Sequence, residues 1–136
     1  HLYHRRFSRR YYQTIKTITM KYTIDRKTWR RGGDKYDEKF GETSLLNPQG
    51  FMWCLGQCLL QEGIEEDKLL NVGDPADAHV NSSFVHKSQS IEFYLNTPLA
   101  KDAMQVNDNP FFSDIEREEK LINLFKENNL EIEFIN

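Results

Sequence analysis

The chain has 136 residues, a formal net charge of -3, 38% hydrophobic and 12% aromatic side chains, and only two cysteines. That length suits one domain able to bury roughly two-thirds of its unfolded surface, and no apolar run approaches the roughly 20 residues of a membrane-spanning helix. The sequence holds no glycine-rich phosphate loop, dinucleotide fingerprint or Gly-x-Ser-x-Gly elbow, so the common signatures of those enzyme classes are missing.

Charge divides the chain in two. Residues 1–19 carry Arg5, Arg6, Arg9, Arg10 and Lys16 without an acid, for +5, while residues 20–136 carry -8. No apolar signal-peptide segment follows the basic start. The first 19 residues read as a flexible leader, or as sequence upstream of a start at Met20. A second reading is an arginine–tyrosine arm able to neutralise phosphates and stack on bases, and a third is an extra element packed on the domain; the leader reading is favoured over both.

Met20 to Asp25 alternates and is rich in β-formers, which predicts a strand over 20–25. Next comes Arg26-Lys27-Thr28-Trp29-Arg30-Arg31-Gly32-Gly33, a short helical turn with Asp25 as cap and the glycine pair as stop. Its four cations, Arg26, Lys27, Arg30 and Arg31, are candidates for phosphate contact. The same four would also serve as a solvated face, or pair with the chain's own acids. Asp34 to Glu42 reads as a polar loop anchored by Tyr36 and Phe40.

The densest apolar block follows. Asn47-Pro48-Gln49-Gly50 has type I turn chemistry. Phe51, Cys54, Leu55, Cys58 and Leu59 then fall on one stripe, which predicts a buried helix over 51–62. Gln57, Gln61 and Glu62 mark its wetter side. Gly63 stands where a helix-ending glycine belongs, with Ile64 as the contact after the cap. Gly56, in mid-helix, would let another backbone approach closely. Glu65 to Leu70 predicts a second short helical turn, and Ala76 to Ser90 has no clear pattern. Ile91 to Leu95 is a candidate strand, and a helix starts at Asn96-Thr97-Pro98 and stops at Asn107-Asp108-Asn109-Pro110.

Ser113-Asp114-Ile115-Glu116 has the form of a capping box. It predicts an amphipathic helix over 114–128 whose buried face includes Ile115, Ile122 and Phe125, joined by Leu121 and Leu124. Leu130 to Ile135 alternates cleanly, with Leu130, Ile132 and Phe134 toward the core and Glu131 and Glu133 toward water. The fold class is therefore α+β. A small sheet containing the two terminal strands, 20–25 and 130–135, packs on the central and C-terminal helices. Lys21 on one strand would suit the glutamates of the other. The expected core is Trp29, Phe51, Cys54, Leu55, Cys58, Leu59, Ile122, Phe125, Ile132 and Phe134.

Candidate chemistry is sparse. Cys54 and Cys58, four apart on one helix, are poorly placed for a disulfide and read as reduced thiols of a cytoplasmic protein. They are candidate zinc ligands if His79, His86 or an acid completes the site. Asp74, Asp77, Asp108 and Asp114 are candidates to converge on a divalent cation. No cofactor is expected.

The segments Tyr22 to Gly32, Met52-Trp53-Cys54-Leu55-Gly56, Val106-Asn107-Asp108, and Arg117-Glu118 through Glu131-Ile132-Glu133-Phe134-Ile135 resemble a group of small bacteriophage and prophage proteins. Those relatives begin near Met20 and often carry a cysteine where this chain has Trp53. The resemblance covers most of 20–136 and implies a phage origin and a bacterial cytoplasm, but no activity. The expectation is an accessory protein that binds a host or phage protein through its acidic surface. A nucleic-acid binder using the 26–31 segment and a metal-dependent enzyme with an Asp/His site are the alternatives.

Overall fold

The computed structural model describes residues 21–73 and 98–136. Its architecture is α+β. Strand β1 (Lys21–Asp25) is followed by a 3₁₀ turn (Gly33–Tyr36) and the one-turn helix α1 (Asp37–Phe40). Helices α2 (Cys54–Gln61), α3 (Glu66–Leu69), α4 (Pro98–Asp108) and α5 (Asp114–Glu127) come next, and β2 (Glu131–Ile135) closes the described chain. The candidate strand at 91–95, the unpatterned stretch 76–90 and residues 1–19 lie outside the described residues.

The two terminal strands pair with each other in parallel, Lys21 beside Glu131 and Asp25 beside Ile135. Tyr22 and Ile24 alternate inward from β1, and Ile132 does so from β2, as the period-2 pattern requires. Lys21 meets Glu133 at 3.1 Å on the outer face. That pair is exposed at both ends and adds little stability.

The other edge of β1 is closed by side chains. Gln61 accepts from Thr23 N–H at 2.9 Å and donates to the Thr23 carbonyl at 2.7 Å. Gln57 does the same for Asp25, at 2.8 and 3.1 Å. Two glutamines four apart on α2 thus act as a stand-in strand, satisfying backbone groups that an open edge would leave bare. This corrects the polar-face reading of Gln57, which is only 5% exposed. Its burial is compensated because its carboxamide is bonded at both ends.

Helix α2 begins at Cys54 rather than Phe51. Met52 is held in a parallel bridge with Trp29: its N–H donates to Thr28 O at 2.9 Å and its carbonyl accepts from Arg30 N–H at 2.7 Å. Residues 51–53 are therefore extended. Phe51 is half-buried and stacks edge-on against Phe40 at 5.1 Å instead of filling the core. Trp53 is the N-cap residue but offers no side-chain cap. The helix ends as expected, with Gly63 at φ 96° and Ile64 N–H returning to Leu59 O at 3.2 Å.

The capping box of α5 is present in both halves. Its buried stripe is Arg117, Leu121 and Phe125, one position round from the expected face. Ile122, expected in the core, is 40% exposed and Ile115 is 73% exposed. The reason is Arg117: its guanidinium is drawn inward by polar partners at the start of the helix, which turns Ile115 and Ile122 outward. The segment 34–42, expected to be a loop, instead forms the 3₁₀ turn and α1.

Gly56 marks the tightest approach in the fold. A Cβ there would lie 1.9 Å from the carbonyl oxygen of Leu45 and 2.7 Å from its carbon. Backbone atoms held on both sides cannot move aside cheaply. Gly56→Ala is expected to destabilise the protein by about 3 kcal/mol or more, although alanine improves helix propensity by up to about 1 kcal/mol. Urea unfolding followed by the fluorescence of Trp29 and Trp53 measures it; a stabilised variant would show that the close approach is absent.

Candidate functional site

Several buried polar groups converge on Asn107, the penultimate residue of α4, which is fully buried. Its Oδ1 accepts from the Trp29 indole N–H at 2.7 Å and from the Cys54 N–H at 3.2 Å. Its Nδ2 donates to the Arg30 carbonyl and to Asp108 Oδ1, both at 2.9 Å. Its own carbonyl accepts from Gly32 N–H at 2.9 Å. All the donors and acceptors of the side chain are thus in use. Asn107 caps α2 from another element, positions Trp29, and ties the 26–32 segment to α4.

The cations of that segment face inward. Arg26 grips Glu118 of α5 through Nε at 3.0 Å and Nη2 at 2.6 Å, and this pairing raises its pKa. Arg30 is fully buried and donates to the carbonyls of Gly41 (2.6 Å) and Arg31 (2.8 Å). Arg31 holds both carboxylate oxygens of Asp114, at 3.1 and 3.3 Å, and lies 4.6 Å over the Trp29 ring. Lys27 is the member whose side chain is exposed. Three of the four candidate phosphate ligands therefore serve as internal braces between β1, α5 and the central core.

Arg117 completes the network. It is fully buried and donates to Asp114 at 2.9 Å and to the carbonyls of Asn109 and Phe112. Burial pulls its pKa down, with Asp114 opposing. Asp114 loses some solvent, which alone would raise its pKa, but Arg31 and Arg117 outweigh that and hold the carboxyl below its usual range. Asp108 behaves oppositely: burial lifts it above the usual range despite Asn107, Arg30 and Arg117. Asp108 is bonded by Asn107 and Asp114 by Arg31 and Arg117, with Arg117 acting electrostatically on both carboxyls. Asp74, Asp77, His79 and His86 lie outside the described residues.

Cys54 and Cys58 are free and fully buried. Desolvation is the main cause that pushes both thiols well above their ordinary pKa, the opposite of what a nucleophile or metal-ligating thiolate needs. Among the described residues no group of three or more histidines, cysteines or acids is placed to hold a metal ion, and no helix is long and apolar enough to cross a membrane.

Most of the outward side chains are charged or polar, but among the described residues Leu70, Phe111, Ile115, Ile122 and Ile135 are exposed large apolar ones. Phe111 is 91% exposed, and Ile115 and Ile122 stand two turns apart on the solvent side of α5. The Phe111 backbone N–H donates to Asn109 Oδ1 at 2.9 Å. Beside Ile122 lies a hollow of about 320 Å³ where α5 meets β2, lined by Ile122, Leu130 and Ile132 together with the charged Lys21, Lys126, Glu131 and Glu133. The sequence pattern placed Ile115, Ile122 and Ile132 in the core, and of these only Ile132 is buried. The signal that could have reversed this is Arg117, whose spacing of four and eight from Leu121 and Phe125 shares their stripe.

Asn107→Ala leaves a buried indole N–H, a helix-end amide and a carbonyl without their partner, so a loss of about 3 kcal/mol or more is expected in urea unfolding. The Asp114 carboxylate, with its lowered folded pKa, stabilises fully above about pH 4 and ceases to do so as pH falls through the folded value. Asp114→Asn should lower stability at neutral pH by about 2 kcal/mol, discounted for its partial exposure. It should also flatten the acid limb of the stability–pH curve; an unchanged acid limb would count against the network.

No protein family, curated protein or solved structure was found to match this chain.

Proposed function

We propose that the chain is a small phage-type accessory protein that acts by binding a protein of the host or of the phage. The observation that carries this reading is the outward apolar ridge of Phe111, Ile115 and Ile122, continued by the hollow beside β2. Scattered exposed apolar side chains are ordinary, but here Ile115 and Ile122 share one face of α5, Phe111 stands just before that helix, and Ile122 borders a hollow rimmed by charges, which is a form that protein interfaces take. The backbone hydrogen bond at Phe111 adds to this, because a backbone already bonded loses less entropy on binding. The excess of acids over residues 20–136 favours a partner with a basic rim.

The nucleic-acid reading is less favoured, because Arg26, Arg30 and Arg31 already hold carboxylates or carbonyls of the chain. Breaking those bonds would charge phosphate binding with the cost of stranding Asp114, Glu118 and buried backbone. The metal-dependent alternative has the least support: among the described residues no group of three or more histidines, cysteines or acids is placed to hold a metal ion, and Asp108 and Asp114 are engaged by Asn107 and by Arg31 and Arg117.

The test is affinity capture from bacterial lysate with the full chain, with and without nuclease, against a Phe111→Ser/Ile115→Ser variant. Both positions are exposed, so the variant should unfold at the same urea concentration as the parent. Stoichiometric protein captured by the parent after nuclease and lost by at least about tenfold in the variant is the expected result. Capture of nuclease-sensitive nucleic acid alone, or of the same protein by both forms, would overturn it.

A further inference from the structure

The two edges of the sheet are treated differently. Arg26 N–H donates to Ile135 O at 2.9 Å, so the even-numbered residues of β1 turn their amides toward β2 and the odd-numbered ones turn away, to Gln57 and Gln61. By the same parallel register, Glu131, Glu133 and Ile135 point their backbone groups at β1, and Ile132 and Phe134 point theirs at the opposite edge. Among the described residues no strand or side-chain amide meets that edge. Among the described residues the chain closes one edge with two glutamines and leaves the other beside a hollow of mixed lining, where Ile122, Leu130 and Ile132 meet Lys21, Lys126, Glu131 and Glu133.

We infer that the outer edge of β2 is a strand-addition site for an extended partner segment in which basic and apolar residues alternate. This rests on the protein-binding reading above and specifies its surface. An added strand would take the amides of Ile132 and Phe134 and present alternate side chains to the two faces of the sheet. On the face that carries α5 it meets the buried side of Ile132 and the part-exposed Ile122, which suits apolar residues, beside a hollow that Lys21, Lys126, Glu131 and Glu133 also line. On the other it meets Glu131 and Glu133, where Glu133 already pairs with Lys21 on its inner side. A basic residue there extends a plus–minus ladder to plus–minus–plus, the favoured cross-strand arrangement. A second copy of this chain is a poor occupant. Antiparallel registers centred on Ile132 or Glu133 set Glu131 against Glu133, or Glu133 against itself, and like charges facing across strands repel.

The test uses the full chain and a synthetic heptapeptide alternating lysine and valine, with a glutamate–valine heptapeptide and tetralysine as controls. Titration calorimetry reads affinity, and amide hydrogen exchange by NMR reads place. The expected result is binding of the lysine–valine peptide alone, with exchange at the Ile132 and Phe134 amides slowed by about tenfold or more. Affinity should fall by about tenfold or more in Glu131→Lys/Glu133→Lys, which alters exposed side chains only. Equal binding of either control overturns the inference, as does protection elsewhere. Slow exchange at those two amides in the free protein, or the same protection arising from concentration-dependent dimerisation, also overturns it. If the peptides fail while the Phe111/Ile115-dependent capture succeeds, the edge assignment fails and the protein-binding reading stands. If the capture fails and the peptide protects Ile132 and Phe134, the ridge fails and the edge stands.

Discussion

One carboxamide, that of Asn107, connects most of the parts. Helix α2 has no capping side chain of its own, because Trp53 precedes Cys54. The segment 26–32 is tied by its backbone to Ile135, to the Met52 bridge and to the Asn107 carbonyl, but the Arg30 carbonyl and the Trp29 indole still need partners. Asn107 supplies both needs from the end of α4, accepting from Cys54 N–H and Trp29 Nε1 while donating to the Arg30 carbonyl. A buried amide is costly when half-satisfied and specifying when fully satisfied. Here all of its hydrogen-bonding capacity is used, so a slip of α4 against α2 would break several bonds together.

Around that centre the arginines act as structural struts. Arg26 and Arg31 each bind a carboxylate of α5, and Arg117 reaches back from α5 to Asp114 and two carbonyls. Buried ion pairs contribute little net stability against an apolar alternative, but they are expensive to break singly. Their consequence is directional. They fix the rotation of α5 by placing a cation, not an isoleucine, at the head of its inward stripe. The outward ridge of Ile115 and Ile122 follows from the same choice, so the proposed interaction face and the polar core have one cause.

The sheet shows a second asymmetry with the same logic. A two-stranded parallel pair is unusually small and has two edges to satisfy. Gln57 and Gln61, one turn apart, match the two-residue repeat of β1 closely enough to serve Thr23 and Asp25 in turn. With that edge satisfied internally, β2 carries the outer edge, and its glutamates and the isoleucines beside it give it a definite chemical preference.

The local sequence determined what local chemistry can determine. The capping box at Ser113, the glycine stop at Gly63, the alternation of Leu130 to Ile135 and the Asn47–Gly50 turn each depend on residues within a few positions, and each was legible. So was the need for a small residue at Gly56, and the α+β class that follows from two terminal strands and two apolar helices. The start of α2 was not legible, because its cap comes from a residue 53 positions away. The burial of Gln57 was not, because its partners are on another strand. The stripe of α5 was misread for a related reason: arginine counts as polar in any periodicity, and only the carboxylate and carbonyls that tertiary folding brings to Arg117 make its burial tolerable. The fate of Arg26, Arg30 and Arg31 was likewise a tertiary decision. A run of cations looks the same in sequence whether it faces phosphate or the chain's own acids, and which of these it faces depends on where α5 comes to rest.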